Sequence, residues 1–412
     1  MLLRKVVFKR LGILKSGSGN LGPDFFNPLR HDLFLFLKYH KIMKKLLIII
    51  IPFFILVILT MVSVSCNKNE IQSEGSFGFL RNAFDMDQEN IEETGATWLR
   101  PNFGYFVWGV MQKDANAPID FSKTDEVVSN AQKHGLQLLI TLFPFADWDQ
   151  KTYGEECKVL PNDGALPQKK GDFETPGLPY YRCNPNDWTA YEKWLSAVVE
   201  RYDGDGKEDM PGLKTPIRYY EIGNEPDLTL GKDPKNDGGT VFYLDSPEHY
   251  GELLQKSYTA IKSADKKIQI LIAAPAGVQP EFQKFWVRVF STPEIADYFD
   301  IANIHCISAP TQDRETPESI SANDLNVSVY KKLLSDYKIT KPIWVTEAEN
   351  IQGNDVLANV KRLNESVANA FKSGAVKIFF TGASFSNDPM KYTSEILIKD
   401  KAYYKDIIEQ YK

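Results

Sequence analysis

The sequence predicts a single (β/α)8 barrel, on three observations. Between Gly75 and Lys412 eight short apolar runs read as strands, and each is followed by a helical pattern. The longest irregular stretches leave the carboxyl ends of strands, the face on which such barrels build their sites. No glycine-rich dinucleotide or phosphate-loop run appears, so an open nucleotide-binding sheet has no support.

The elements follow in order. Phe77 to Leu80 and Thr97 to Pro101 are compact apolar runs, followed by helical patterns at Asp87 to Thr94 and Lys123 to Lys133. Leu136 to Leu142 is the third strand; the longest irregular stretch, Phe143 to Asn186, separates it from a helix at Asp187 to Tyr202. The fourth strand, Ile217 to Ile222, is followed by another long loop, Asp227 to Asp245, and by a helix at Pro247 to Ala264. There Ser246 can cap and Pro247 can take the first helical position. Ile268 to Ala273, Ile301 to His305, Ile343 to Thr346 and Val376 to Thr381 complete the strands. Their helices read at Pro280 to Phe290, Ala322 to Tyr337, Val356 to Ser373 and Lys401 to Tyr411. A chain of 412 residues with 43% hydrophobic content suits one such barrel.

The amino terminus is different in kind. Met1 to Ser65 holds ten Lys or Arg and two acids, which leaves 38 basic and 52 acidic residues beyond it. That acidic remainder argues against a nucleic-acid partner. Leu46 to Val64 is almost free of polarity, follows Lys44-Lys45 and precedes Ser65-Cys66, the layout of an export signal spanning residues 43–65. Cys66 stands where a lipoprotein is cleaved and acylated, and residues 66–74 form a polar linker; Ser63 departs from the bulky residue expected three places earlier. A retained membrane anchor is the alternative, and either puts the barrel outside the inner membrane, in the periplasm or at the cell surface. The 42 residues before Met43 are expected to be an annotation artefact or a disordered extension.

Two glutamates carry the functional reading. Asn224-Glu225-Pro226 closes the run from Ile217 to Gly223, and Glu347 closes Pro342 to Thr346. Carboxylates at the ends of two strands supply what glycosidic cleavage needs, a proton donor and a nucleophile. Alternation along a strand gives Glu221, Gly223 and Glu225 one orientation, and Glu347 and Glu349 another. An extended strand places Glu221 about 13 Å below Glu225, which makes Glu221 a buried structural carboxylate. Glu347 is preferred to Glu349 because it directly ends the apolar run.

These segments resemble known ones. Tyr220 to Asp227 and Trp344 to Glu347 look like the fourth and seventh strand ends of clan A retaining glycoside hydrolases, such as families 5 and 39. The resemblance implies Glu225 as general acid/base, Glu347 as nucleophile and Asn224 as the group holding the sugar 2-hydroxyl. It also implies that Arg100 keeps the nucleophile ionised and that His305 belongs to the site. The chain departs from the pattern at Ile307, at Gly223 and in Phe379 to Phe385, where Tyr, Trp and Trp are common. Those departures bear on the substrate more than on the mechanism.

The implied mechanism sets a geometry. Raising the Glu225 pKa by about two units takes roughly 2.7 kcal/mol, and the nearby Glu347 charge helps. Carboxyl groups about 5 to 5.5 Å apart imply retention of configuration, and roughly 9 Å implies inversion. Tyr105, Trp108, Trp148, Tyr180 and Tyr181 lie in loops on the expected face as candidate sugar platforms, whereas Trp188 reads as core. Cys157 and Cys183 share one polar loop; export permits a bridge that restricts it by roughly 3 kcal/mol, against two free thiols. Cys306 reads as a small buried filler. No metal-ligand spacing or cofactor motif occurs, and an oligo- or polysaccharide is the expected partner, besides a membrane through Cys66. The rival readings are a non-catalytic carbohydrate-binding lipoprotein on a degenerate barrel and a lyase.

Overall fold

The structure, a computed structural model, describes residues 75–411 apart from 82–84, 162–165, 167, 171–172, 176, 229–239, 309–321, 351–355 and 382–393. The expectations for residues 1–42, the signal at 43–65, Cys66 and the linker at 66–74 therefore lie outside the described residues. Glu74–Lys412 is one compact unit.

Eight parallel strands form the barrel: β1 (Phe77–Arg81), β2 (Trp98–Pro101), β3 (Gln137–Leu142), β4 (Tyr219–Ile222), β5 (Gln269–Ile272), β6 (Ala302–Ser308), β7 (Ile343–Asn350) and β8 (Ala375–Phe380). They are ordered β5-β4-β3-β2-β1-β8-β7-β6. The ring closes through a parallel bridge between Leu271 and Ile301, where Ile301 N–H donates to Ile270 O at 3.1 Å. The outer layer consists of α1 (Asp85–Thr94), α2 (Ser122–Lys133), α3 (Trp188–Tyr202), α4 (Pro247–Ala264), α5 (Pro280–Phe290), α6 (Val327–Asp336), α7 (Val356–Ser373) and α8 (Ser394–Glu409). The predicted helix over Ala322 to Tyr337 is broken: Leu325 and Asn326 adopt φ of 53° and 66°, so a short 3-10 turn precedes α6. Within the long third loop, Gln168–Lys170 and Phe173–Thr175 form a small antiparallel hairpin that the sequence did not announce.

Two apolar layers explain the architecture. Outward-facing strand residues such as Leu99, Ile140 and Ile304 pack beneath the helices. Inward-facing Trp98, Leu139, Leu271, Trp344 and Phe379, joined by Ile301 and Tyr219, fill the barrel floor. Trp98 lies 5.0 Å from Tyr219 and 5.5 Å from Trp344, both edge-on, the geometry that aromatic quadrupoles favour. Gly78 makes this possible, because a Cβ there would sit 2.6 Å from both Phe379 and Trp98. Lys377 lies on the same floor: its ammonium is 4.0 Å from the Trp98 ring centre and donates to Gly75 O at 2.7 Å.

The caps behave as their side chains dictate. Ser246 Oγ accepts from His249 N, with Pro247 next in the chain, and Asp187 accepts from Ala190 N at the start of α3.

Candidate active site

Above the aromatic floor the inward side chains become charged. On β2, two residues beyond Trp98, Arg100 is fully buried and reaches three partners. Its Nε–H donates to Glu221 Oε2 at 2.9 Å, Nη1 to Glu347 Oε1 at 2.8 Å and Nη2 to Asn224 Oδ1 at 2.7 Å. Glu221 also accepts from Thr141 Oγ1 at 2.7 Å and from Asn303 Nδ2 at 2.6 Å. It is the buried structural carboxylate that its depth implied.

β4 ends at Ile222, and the backbone there turns rather than extends. Gly223 takes φ 79° and Glu225 φ 38°, both in the left-handed region. That conformation suits glycine and explains Gly223 at its position, while for Glu225 it costs on the order of 1–3 kcal/mol. Asp227 holds the far side of the turn, accepting from Ala276 N at 3.1 Å and from Trp286 Nε1 at 3.0 Å. The extended-strand spacing between Glu221 and Glu225 therefore does not apply.

β7 reaches the site through a bulge. Val345 pairs with Ile304 and Glu347 with His305, so Thr346 is an extra residue with no opposite partner. Consequently Thr346 and Glu347 both contribute to the site, whereas Ala348 packs outward. Glu349 diverges from Glu347 and accepts from Tyr404 Oη of α8 at 3.3 Å.

Glu225 and Glu347 are thus brought together. His305 Nδ1 lies 2.7 Å from Glu225 Oε1 and 3.7 Å from Glu347 Oε1. One ligand atom from each of the three residues falls within 4.8 Å of the others. These groups are engaged in hydrogen bonds, His305 with Glu225 and Thr346 and Glu347 with Arg100; a separate acidic group that could hold a cation is Asp203, Asp205 and Asp209 after α3, where Asp209 already accepts from Gly204 N and Gly206 N.

Charge is unequally distributed. Arg100 is the cation of this cluster, and its contacts go to Glu221 and Glu347. Among the described residues, the ionisable group in hydrogen-bond contact with Glu225 is the buried imidazole of His305. Burial raises the Glu225 carboxyl to about 7, assisted by the Glu221 charge and opposed by Arg100. Burial also pushes Glu347 upward, opposed by Arg100 in direct contact. Burial lowers His305 to about 4, so the ring is neutral near neutral pH.

Asn224 is 2% exposed and gives its carbonyl to Arg100, which leaves Nδ2 without a partner among the described residues. A buried donor without a partner costs about 1–3 kcal/mol, recovered when a ligand oxygen arrives.

The aromatic candidates divide. Trp108 is corrected: it is fully buried, 5.6 Å from Tyr191 of α3, and donates Nε1–H to Gln112 Oε1 at 2.9 Å. Residues 108–111 wind into one helical turn that packs on α3, so this indole has no face for a sugar. Trp148 is half-buried, edge-on to Trp108 at 4.7 Å, and donates to Gln112 O at 2.9 Å. Tyr105 and Tyr181 are half-buried and Tyr180 is exposed. Phe103, which the sequence reading passed over, lies 5.6 Å from the Arg100 guanidinium carbon. The segment after Thr381, where a floor tryptophan was sought, lies outside the described residues.

The third loop is a braced wall. A disulfide joins Cys157 and Cys183, packed with Val159, Val241 and Leu244. Gln150 Nε2 donates to Cys183 O at 2.6 Å, and Arg182 donates to Val241 O, tying this loop to the one after β4. Cys306 is a buried free thiol facing the helices.

Comparison with known proteins agrees on architecture. No family model and no curated protein sequence matches the chain. A glucosidase structure from Croceicoccus marinus is similar over 82% of this chain and 67% of its own, at TM-score 0.54 and 14% identity. A monomeric beta-xylosidase from Caulobacter crescentus CB15 is similar over 77% of this chain and 62% of its own, at TM-score 0.50 and 15% identity. The likeness establishes the fold. The chain is a (β/α)8 barrel of the kind that glycoside hydrolases use, and it spans about two thirds of the length of these structures.

Proposed function

We propose that this protein is a retaining glycoside hydrolase. One observation carries the reading: Glu225 and Glu347 present oxygens within 4.8 Å of each other, one beside a neutral imidazole and the other on a guanidinium. So close an approach supports the short carboxyl separation of a retaining site, about 5 to 5.5 Å, over the roughly 6.5–9.5 Å of an inverting one.

Chemistry follows from the protonation states. Glu225, titrating near 7, keeps a proton to give the glycosidic oxygen as the bond to the anomeric carbon breaks. Glu347 attacks that carbon and forms a glycosyl ester, while the leaving sugar departs as an alcohol. Ester formation removes the Glu347 charge, so Glu225, now ionised, takes a proton from water as that water attacks the anomeric carbon and releases the Glu347 carboxylate. Asn224 Nδ2 is placed to donate to the 2-hydroxyl, a contact that tightens as the ring gains oxocarbenium character.

The substrate is proposed to be an oligo- or polysaccharide. The neighbours' names make aryl glucosides and xylosides the first to try. The test is a panel of 2-fluoroglycosides followed by intact and peptide mass spectrometry. One added fluoroglycosyl group on Glu347, and a first-formed product of unchanged anomeric configuration, is the expected result. Equal turnover by Glu347→Gln would end the reading, and binding without turnover would favour the carbohydrate-binding alternative.

Export with acylation at Cys66, and hence a barrel outside the inner membrane, is part of the same proposal and rests on the sequence pattern. Radiolabelled palmitate should enter the wild-type chain and not Cys66→Ala.

A further inference from the structure

The hydrogen bonds behind His305 have only one self-consistent direction, and it runs from the deep carboxylate to the acid. Glu221 accepts from Arg100 and Thr141, and Asn303 turns its NH2 toward Glu221 Oε1, at 2.6 Å. The Asn303 carbonyl then faces Thr346, whose hydroxyl donates to it at 2.8 Å. Having spent its proton, Thr346 Oγ1 can only accept from His305 Nε2, 2.9 Å away. A neutral imidazole protonated at Nε2 carries a bare lone pair at Nδ1. That lone pair is 2.7 Å from Glu225 Oε1. Two acceptors cannot share that distance, so Glu225 must bring the proton.

We propose that Asn303 and Thr346 are positioning residues that fix the His305 tautomer and thereby keep Glu225 protonated in the resting protein. The inference deepens the glycosidase reading and rests on it for its catalytic consequence. Neither residue reaches the substrate in this scheme; both act through His305. The alternative tautomer, with the proton on Nδ1, would donate to Glu225 and favour its anion. Asn326 supports the arrangement from behind, donating to His305 O at 2.8 Å. The other charged groups facing this pair are Arg100 on β2, Glu221 on β4 and Glu347 on β7, with Asp227 beyond Glu225. None of these supplies Glu225 with a direct donor among the described contacts.

Thr346→Val keeps the shape and deletes the hydroxyl, so Nε2–H loses its acceptor. The test labels the full chain with 15N-histidine and reads two-bond proton–nitrogen couplings at pH 6 to 7. One of five histidines must be assigned, by comparison with His305→Asn. Wild type should show His305 as the Nε2–H tautomer, and Thr346→Val should gain the Nδ1–H form. In parallel, the alkaline limb of kcat/KM should move down by roughly one pH unit in Thr346→Val and return in Thr346→Ser. A wild-type Nδ1–H tautomer, or an imidazolium, overturns the proposal, as does Thr346→Val with wild-type tautomer and limb. If Thr346→Val does not fold, the wild-type spectrum alone decides. Absence of any glycoside turnover beside an Nε2–H signal would sink the glycosidase reading and leave the tautomer assignment standing.

Discussion

The floor and the mouth of this barrel are built from the same strands, two or three residues apart, and they obey opposite rules. β2 carries Trp98 below and Arg100 above, β4 carries Tyr219 below and Glu221 above, and β7 carries Trp344 below and Glu347 above. The floor lowers the free energy of the fold: its rings leave water and meet each other edge-on, each worth about 3 kcal/mol by transfer. The mouth raises it. Two carboxylates share one guanidinium, Glu225 occupies a left-handed backbone position, and Asn224 holds a donor with no partner among the described residues. A site poised to act on a substrate is loaded onto a layer that stabilises enough to carry it.

Two substitutions probe that division. Glu347→Gln should cost at least about 10³-fold in turnover while moving the melting temperature little, since Arg100 keeps Glu221 as its counter-ion. Trp344→Ala should do the reverse and lose about 3–5 kcal/mol in a denaturant titration, through the cavity left among Trp98, Tyr219 and Phe379. If both lost stability alike, the two layers would not be distinct.

A subtler effect separates the layers by pH. The Glu225 carboxyl lies near 7 in the fold against an ordinary 4.5. Stability from a raised carboxyl is whole below the unfolded value and is lost as pH climbs through the folded one. Glu225→Gln stays neutral throughout, so its melting temperature should match wild type at pH 4 and exceed it increasingly up to pH 8. A constant offset would mean that burial does not govern this group. Smallest of all, Asp187→Ala removes the cap of α3 and should cost about 1 kcal/mol at every pH, away from both layers.

The strands and most helices were legible because they are written in short apolar runs and periodic faces that need no partner to be recognised. Glu225 and Glu347 were visible for a related reason, since each follows such a run directly. Thr346, Asn303 and Thr141 were not, because a polar residue inside a strand signals nothing until the barrel closes and sets it beside Glu221 or His305. Strict alternation from Trp344 would send Glu347 to the outer face; the bulge that prevents this is a matter of pairing with β6, which one strand cannot reveal. Trp108 misled for the converse reason. A loop tryptophan reads alike whether it meets a sugar or a helix, and here α3 claims it.

The unpaired residue in β7 makes that strand odd where its neighbours count even. Thr346 is a supernumerary member, inserted so that the residues on either side retain the faces their partners assign to them. Excising it would restore parity and withdraw a hydroxyl, yet would leave Glu347 facing inward beside Arg100. The nucleophile candidate and its adjoining hydroxyl are therefore separable by subtraction of a single peptide unit, an uncommon independence for two groups that are consecutive in a chain.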